Sequence, residues 1–350
     1  VSGPLDEARE RLRDATRERL QEAQERLAET QELAREAQER AVLQAREAAA
    51  AAQERARLLA EAMPPGLLPR LASSFVGIAI LLSFVFIEVS PRLPGLLFTF
   101  AMSIIALIGA GEYFRGVRLR GFRPSEALAF FAVVVLQFAA WNVSRGQLLA
   151  VLPALLAVLA IATLVHQVLR REPEPLAGMG VTFVGVIYVG WLISYVIWLR
   201  SLPGITTVWP FPPASLGAWL VLYVCATTWS ADAGAYFVGA RYGRRKLAPT
   251  LSPKKTVEGA VGGLLASSLM SIAWGSWVHL PLIHCLVLGP VIGMLAQVGD
   301  LCESAIKRDL GIKDFGGIMP GHGGVLDRFD SVLFTAPIAY YYLVLVIHPL

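Results

Sequence analysis

Two patterns of apolar and polar positions divide the chain. From Leu5 to Ala62 it repeats Ala, Glu, Arg, Gln and Leu without a Gly or a Pro. After Pro69 it runs in apolar stretches of about 20 residues, separated by short polar loops. The first pattern predicts a helix, because all five residue types are good helix formers. Its pentapeptide EAQER recurs at 22–26 and 36–40, and Leu5, Leu12, Leu20 and Leu27 follow one another at spacings of seven, eight and seven. Glu22–Arg26 and Glu36–Arg40 are i,i+4 pairs in the favourable order. The stripe between them is mostly Ala and buries little area, so the charged helical, coiled-coil-like arm over 1–62 reads more as a long solvated single helix than as a coiled-coil partner module, and a tight zipper is not expected. Pro64-Pro65-Gly66 stops the helix, and 63–70 reads as a linker.

The second pattern resolves into nine runs, at about 71–89, 95–114, 125–142, 147–169, 180–199, 215–239, 257–279, 282–300 and 331–348. Each is close to the length that crosses a hydrocarbon core. The expected fold is an all-α polytopic integral membrane protein with about nine transmembrane helices, preceded by a long charged N-terminal helix. The transmembrane domain covers 71–350, with a loop at 300–330 that carries most of the chemistry.

Composition supports this reading. Of the 350 residues 55% are apolar, only 17% are charged, and mean hydropathy is +0.56. Residues 1–62 hold 25 of the 58 charges, so the other 288 positions carry only 33, too few for one soluble globule. The basic residues also choose sides. Loops after the second, fourth, sixth and eighth runs hold sixteen Lys and Arg, whereas the opposite loops hold only Arg92, Arg145 and Arg200. The positive-inside rule then places the arm and the even-numbered loops in the cytoplasm and the C-terminus outside, in a multi-pass protein of the inner membrane. The basic balance therefore reflects topology and implies no nucleic acid. Cys225, Cys285 and Cys302 lie too far apart for a zinc or disulfide framework.

Few ionisable residues fall within the runs, and such residues are functional hypotheses by default. Glu112, Asp232, Glu258 and Asp300 all project to the cytoplasmic level, beside the most basic loops. Acids next to Lys and Arg at one depth suit a metal-and-phosphate site. Glu112 and Glu258 have a second reading as interfacial carboxylates that cap or pair locally. His166 reads as a satisfied histidine. Trp198, Trp209 and Trp277 fall at outer ends, where aromatic belts are normal. Gly259, Gly262 and Gly263 are read as a close helix contact.

The segment 300–330 is too charged for a span and too rich in Gly for a solvated helix. Ser304–Asp309 fits a short helix continuing the eighth run, and the glycines after it permit backbone-exposing turns. Exposed amides, cations and carboxylates equip such a loop for a nucleoside triphosphate with Mg²⁺, although a transporter's gating loop is composed similarly.

The arrangement Ser304-x-Ile306-Lys307-Arg308-x4-Lys313-Asp314-x-Gly316, followed by Pro320-x-His322-Gly323-Gly324-Val325-x-Asp327-Arg328-Phe329-Asp330, resembles the signature of phosphatidate cytidylyltransferases, the CDP-diacylglycerol synthases. Met319 departs from it, keeping an apolar side chain. Ser252-Pro253-Lys254-Lys255-Thr256-x-Glu258-Gly259 and Asp232-x-x-Ala235-Tyr236 resemble the family as well. The resemblance covers about 70–350 and leaves the arm outside. It implies transfer of CMP from CTP to phosphatidate in the membrane, with release of pyrophosphate and metal held by Asp300 and Asp327. Asp232 is expected to hold a second divalent ion or to orient a Lys. Phosphates are expected to meet Ser252, Lys254, Lys255, Lys307, Arg308, Lys313, His322 and Arg328, with Lys255 and Lys307 foremost. A homodimer is compatible with the resemblance and the arm. Two rival readings are a CTP-dependent polyprenol or dolichol kinase, which needs a base for its alcohol acceptor, and a secondary transporter, which needs inverted repeats; none is visible.

Overall fold

A computed structural model describes residues 43–44, 46–47, 50, 54, 82–88, 93–143, 151–171, 173–317 and 323–347. The chain divides into two compact units, Val1–Leu67 and Leu68–Leu350. In the first, the few described residues are helical and exposed. The second carries eight described helices: α1 (Leu96–Leu119), α2 (Glu126–Val143), α3 (Val151–Leu169), α4 (Pro175–Arg200), α5 (Leu216–Tyr242), α6 (Val257–Trp277), α7 (Leu282–Leu310) and α8 (Leu326–Ile347).

Among the described residues, five helices are long and apolar enough to cross a membrane: α1, α4, α6, α7 and α8. Helices α2 and α3 are apolar but shorter, and α5 carries Asp232 and Arg241 within its 27 residues. The first expected span falls mostly outside the described residues; 82–86 are helical. Large apolar side chains such as Phe100, Phe131, Ile161, Leu265 and Leu269 are exposed on the helix exteriors. That is the surface of a multi-pass membrane protein, where lipid takes the place of a second layer.

The helix expected at Ser304–Asp309 as a continuation of the eighth run is present: α7 runs on to Leu310 before Gly311 closes it in the left-handed conformation at φ 71°. The ninth begins at Leu326, not 331, so the last motif acids lie on a helix. The domain is mostly helical, as expected of an all-α protein, and carries two short hairpins besides. Ile205–Thr206 (β1) pairs antiparallel with Ala214–Ser215 (β2), and Lys246–Ala248 (β3) with Ser252–Thr256 (β4). Thr256 ends β4 and caps α6, its Oγ1 accepting from Gly259 N at 3.1 Å.

Helices α5 and α6 make the most extensive contact in the fold. A Cβ at Gly259 would stand 2.8 Å from the Ala235 carbonyl, and one at Gly263 2.7 Å from the Ala231 carbonyl. These positions repeat every four residues on both helices, so backbone packs against backbone, as the glycine cluster leads one to expect. At the opposite end, buried Arg200 donates to Val85 O at 2.7 Å and Ser215 Oγ at 3.0 Å and pairs with Glu88, whose other oxygen accepts from Gly95 N. Arg200 is thus a structural tie and not a free loop charge. Trp198 is also buried, donating to Ala140 O, because it is enclosed by Trp191, Tyr195 and Tyr340. Trp209 and Trp277 are exposed, as aromatic belt residues are.

Candidate active site

On α7, Asp300, Glu303 and Lys307 stand at i, i+3 and i+7, which puts them on one helical face. The start of α8 supplies Asp327 in its first turn and Asp330 just after it, again three apart, and α5 supplies Asp232. These six side chains line one cavity of about 710 Å³, a volume ordinary for a small-molecule site. Trp229, Asp314 and Arg328 complete much of its wall.

Carboxylates outnumber cations on that wall. Oxygens of Asp300, Glu303 and Asp330 lie within 4.8 Å of one another. Lys307 offsets part of this charge, its Nζ lying 3.2 Å from Glu303 Oε2 and 2.9 Å from Asp327 Oδ1. Lys255, on β4, reaches Asp300 Oδ2 at 2.6 Å. Glu303 is almost wholly buried, and no donor reaches its Oε1. Leaving a buried carboxylate oxygen without a partner is costly, and a cation would satisfy it.

The donor set fits a small divalent cation. Three oxygens no more than 4.8 Å apart share a point at most about 2.8 Å from each, and Mg²⁺ binds oxygen at about 2.0–2.1 Å. A shift of less than about 1 Å per ligand closes the site.

Asp327 has another set of partners. Its Oδ1 meets Lys307, while Oδ2 accepts from Phe315 N at 3.0 Å and Gly324 N at 2.8 Å. It thus pins the loop between α7 and α8 while bordering the cavity. Glu112 lies outside the cavity wall. Its oxygens accept from Val325 N at 3.0 Å and Leu326 N at 2.9 Å, so it caps the start of α8 from α1. Charge-assisted bonds of this kind contribute about 1.5–3 kcal/mol each, and the helix dipole favours the anion there. Glu258 is also a local partner, accepting from the amides of Arg244 and Arg245 at the β3 turn. For both residues the capping reading holds.

The structure therefore brings Asp232, Asp300, Lys307, Asp327 and Arg328 together in the cavity, with Lys255 attached through Asp300. Ser252, Lys254, Arg308 and Lys313 do not line it; the last three are exposed. His322 lies outside the described residues. His166 is satisfied, its Nδ1 lying 2.7 Å from Ser125 Oγ. The sequence reading missed Glu303 and Asp330 as members of the acidic cluster. The signal was present: Glu303 follows Asp300 by three and Asp330 follows Asp327 by three, a spacing that has meaning only if both segments are helical.

A sequence profile described as the cytidylyltransferase family matches residues 69–346. The chain is similar to the phosphatidate cytidylyltransferase of Bacillus subtilis, 32% identical over 281 residues that cover 77% of this chain and 96% of the relative. It is 33% identical to the phosphatidate cytidylyltransferase of Synechocystis over 298 residues, 79% of this chain and 97% of the relative. A phosphatidate cytidylyltransferase from Staphylococcus saprophyticus is 42% identical over 137 residues, 39% of this chain and 53% of the relative.

Proposed function

The chain belongs to the cytidylyltransferase family, and from that premise we propose that it transfers CMP from CTP to phosphatidate, giving CDP-diacylglycerol and pyrophosphate. One observation carries the reading to the residues. A carboxylate-rich cavity with Lys307, Arg328 and Lys255 at hand sits at the ends of helices long enough to cross a membrane. Such a cavity serves a water-soluble triphosphate and a lipid phosphate at one depth.

The chemistry asks little of a base. The phosphate of phosphatidate is already largely dianionic near pH 7, since a second phosphate pKa lies near ~6. Its oxygen attacks the α-phosphorus of CTP, a P–O bond forms, and the bond to the pyrophosphate oxygen breaks. No proton must be removed from the nucleophile. An alcohol acceptor, as in a polyprenol kinase, would need a base.

The difficulty is charge. Asp300, Glu303 and Asp330 would hold Mg²⁺, and Asp232 and Asp327 border the same space, where the motif resemblance puts a ligand and a second ion could sit. Bound there, Mg²⁺ supplies offset for the charge of the α-phosphate and leaving group. Lys307 keeps Asp327 and Glu303 in place with two contacts, and an ammonium has a third N–H to give a phosphate. Lys255 and Arg328 are the next phosphate donors.

The finer topology is part of the proposal. Nine spans place the arm at 1–62 and the cavity in the cytoplasm and the C-terminus outside the inner membrane. The arm is a separate module, and a homodimer is compatible with it.

The test is an assay of the purified full chain with CTP, Mg²⁺ and either phosphatidate or dolichol. Phosphatidate should yield CDP-diacylglycerol and pyrophosphate in equal amounts. Dolichol phosphorylation with release of CDP, or no product from phosphatidate in detergent and in vesicles, would overturn the assignment.

A further inference from the structure

Glu112 lies on α1, far in sequence from every motif residue, and is buried at 6% exposure. Three consecutive amides open α8, and all three go to carboxylates: Gly324 N to Asp327, Val325 N and Leu326 N to Glu112. The motif glycines enclose the same carboxyl group. A Cβ at Gly324 would stand 2.6 Å from both Glu112 oxygens, and one at Gly316 would stand 2.7 Å from its Cδ. Side chains at these two positions would displace the acid. The loop is thus built as a socket for a carboxylate from another helix.

We propose that Glu112 is a positioning residue for the cation site: by clamping the first turn of α8 it sets where Asp330 and Asp327 stand against Asp300, Glu303 and Lys307. The inference rests on the cavity's being a cation-dependent catalytic site. Both Glu112 oxygens are acceptors facing N–H groups, so only a carboxylate satisfies both amides. An amide of the same size would turn an NH₂ toward one of them. The α8 turn would then tilt or shift, and Asp330 with it.

The experiment compares wild type, Glu112→Gln and Gly316→Ala, all as full chains. Mg²⁺ is titrated against the thermal unfolding midpoint, and turnover is measured in parallel. Partners that hold a ligand in place are typically worth 10–100-fold in metal affinity. Both variants are expected to fold, with the Mg²⁺ concentration for half-maximal stabilisation raised about 10-fold or more. In turnover, kcat should fall by at least about 10-fold while KM for CTP stays within about twofold. An unchanged Mg²⁺ midpoint in both variants would overturn the inference, and so would failure of both to fold, since the role would then be purely structural. If wild type is stabilised by Mg²⁺ yet makes no CDP-diacylglycerol, the reaction assignment fails while the titration still decides the role of Glu112.

Discussion

Replacing Glu303 by Gln separates the electrostatics of the acidic cluster from its proposed task. With all three acids charged, each pair among Asp300, Glu303 and Asp330 stands no more than 4.8 Å apart. At an effective dielectric of about 20, each pair repels by at least ~3.5 kcal/mol. Glu303→Gln deletes two of these pairs, about 7 kcal/mol of gross repulsion. It also deletes the attraction to Lys307 at 3.2 Å, worth about 5 kcal/mol on the same scale. These gross terms oppose each other, and Gln keeps the shape of the side chain, so without metal the variant should be no less stable than wild type. With metal the balance reverses, because one of three anionic ligands is gone. A bound ion at 100 times its dissociation constant stabilises a protein by about 2.7 kcal/mol. The assay is thermal unfolding in detergent, first with a chelator and then across a Mg²⁺ titration. Wild type should gain stability with Mg²⁺, and the Gln variant should gain almost none at the same concentrations. A full Mg²⁺ shift in the variant would refute the ligand assignment. A large loss of stability in chelator would refute the repulsion argument.

Other substitutions probe separate parts of the structure. Asp300→Asn and Asp327→Asn should each lower turnover by orders of magnitude with the unfolding midpoint near that of wild type; near-normal activity in either would remove that residue from the site. Lys307→Met leaves Glu303 and Asp327 without their cation and should destabilise by about 3–5 kcal/mol, read by denaturation, as well as abolish turnover. Arg200→Met breaks the buried tie to Glu88 and should cost a similar amount, yet the folded fraction should keep its KM for CTP, because the tie lies away from the cavity. Deleting 1–60 should spare catalysis, as measured by pyrophosphate release.

What was legible in the sequence depended on the range of the interaction. Helix positions after Pro69 are local, written in apolar runs, and most were readable. The tight contact at Gly259 and Gly263 was readable because small residues in a span have few other uses. Asp232 and Asp300 were readable because charges in spans are rare, and Lys307 because it stands in the motif of the 300–330 segment. The missed members were hidden at helix bounds: Glu303 fell between the expected span and the helix expected at Ser304–Asp309, and Asp330 just before a start placed at 331. A misplaced end dissolves an i,i+3 pair, and the ends are set by tertiary partners. The start of α8 at Leu326 is held by Glu112, over two hundred residues away. The β3–β4 hairpin was hidden too, since SPKKT reads as loop chemistry until Lys255 is seen to reach Asp300. Trp198 looked interfacial by position and proved buried among other rings.

The length of α7 has a mechanical consequence. Its 29 residues rise about 43 Å, whereas the hydrocarbon core of a bilayer is about 30 Å thick. The surplus of roughly 13 Å is about nine residues, which is close to the stretch from Asp300 to Leu310. One helical rod, with Pro290 within it, thus both spans the lipid and carries the acids beyond it, and its apolar part acts as a ruler for how far they stand from the acyl region. Vesicles of thicker or thinner acyl composition would force the rod to tilt or the lipid to deform. Membrane thickness would then become a control on how well a lipid phosphate lines up with the nucleotide, with no change in either substrate.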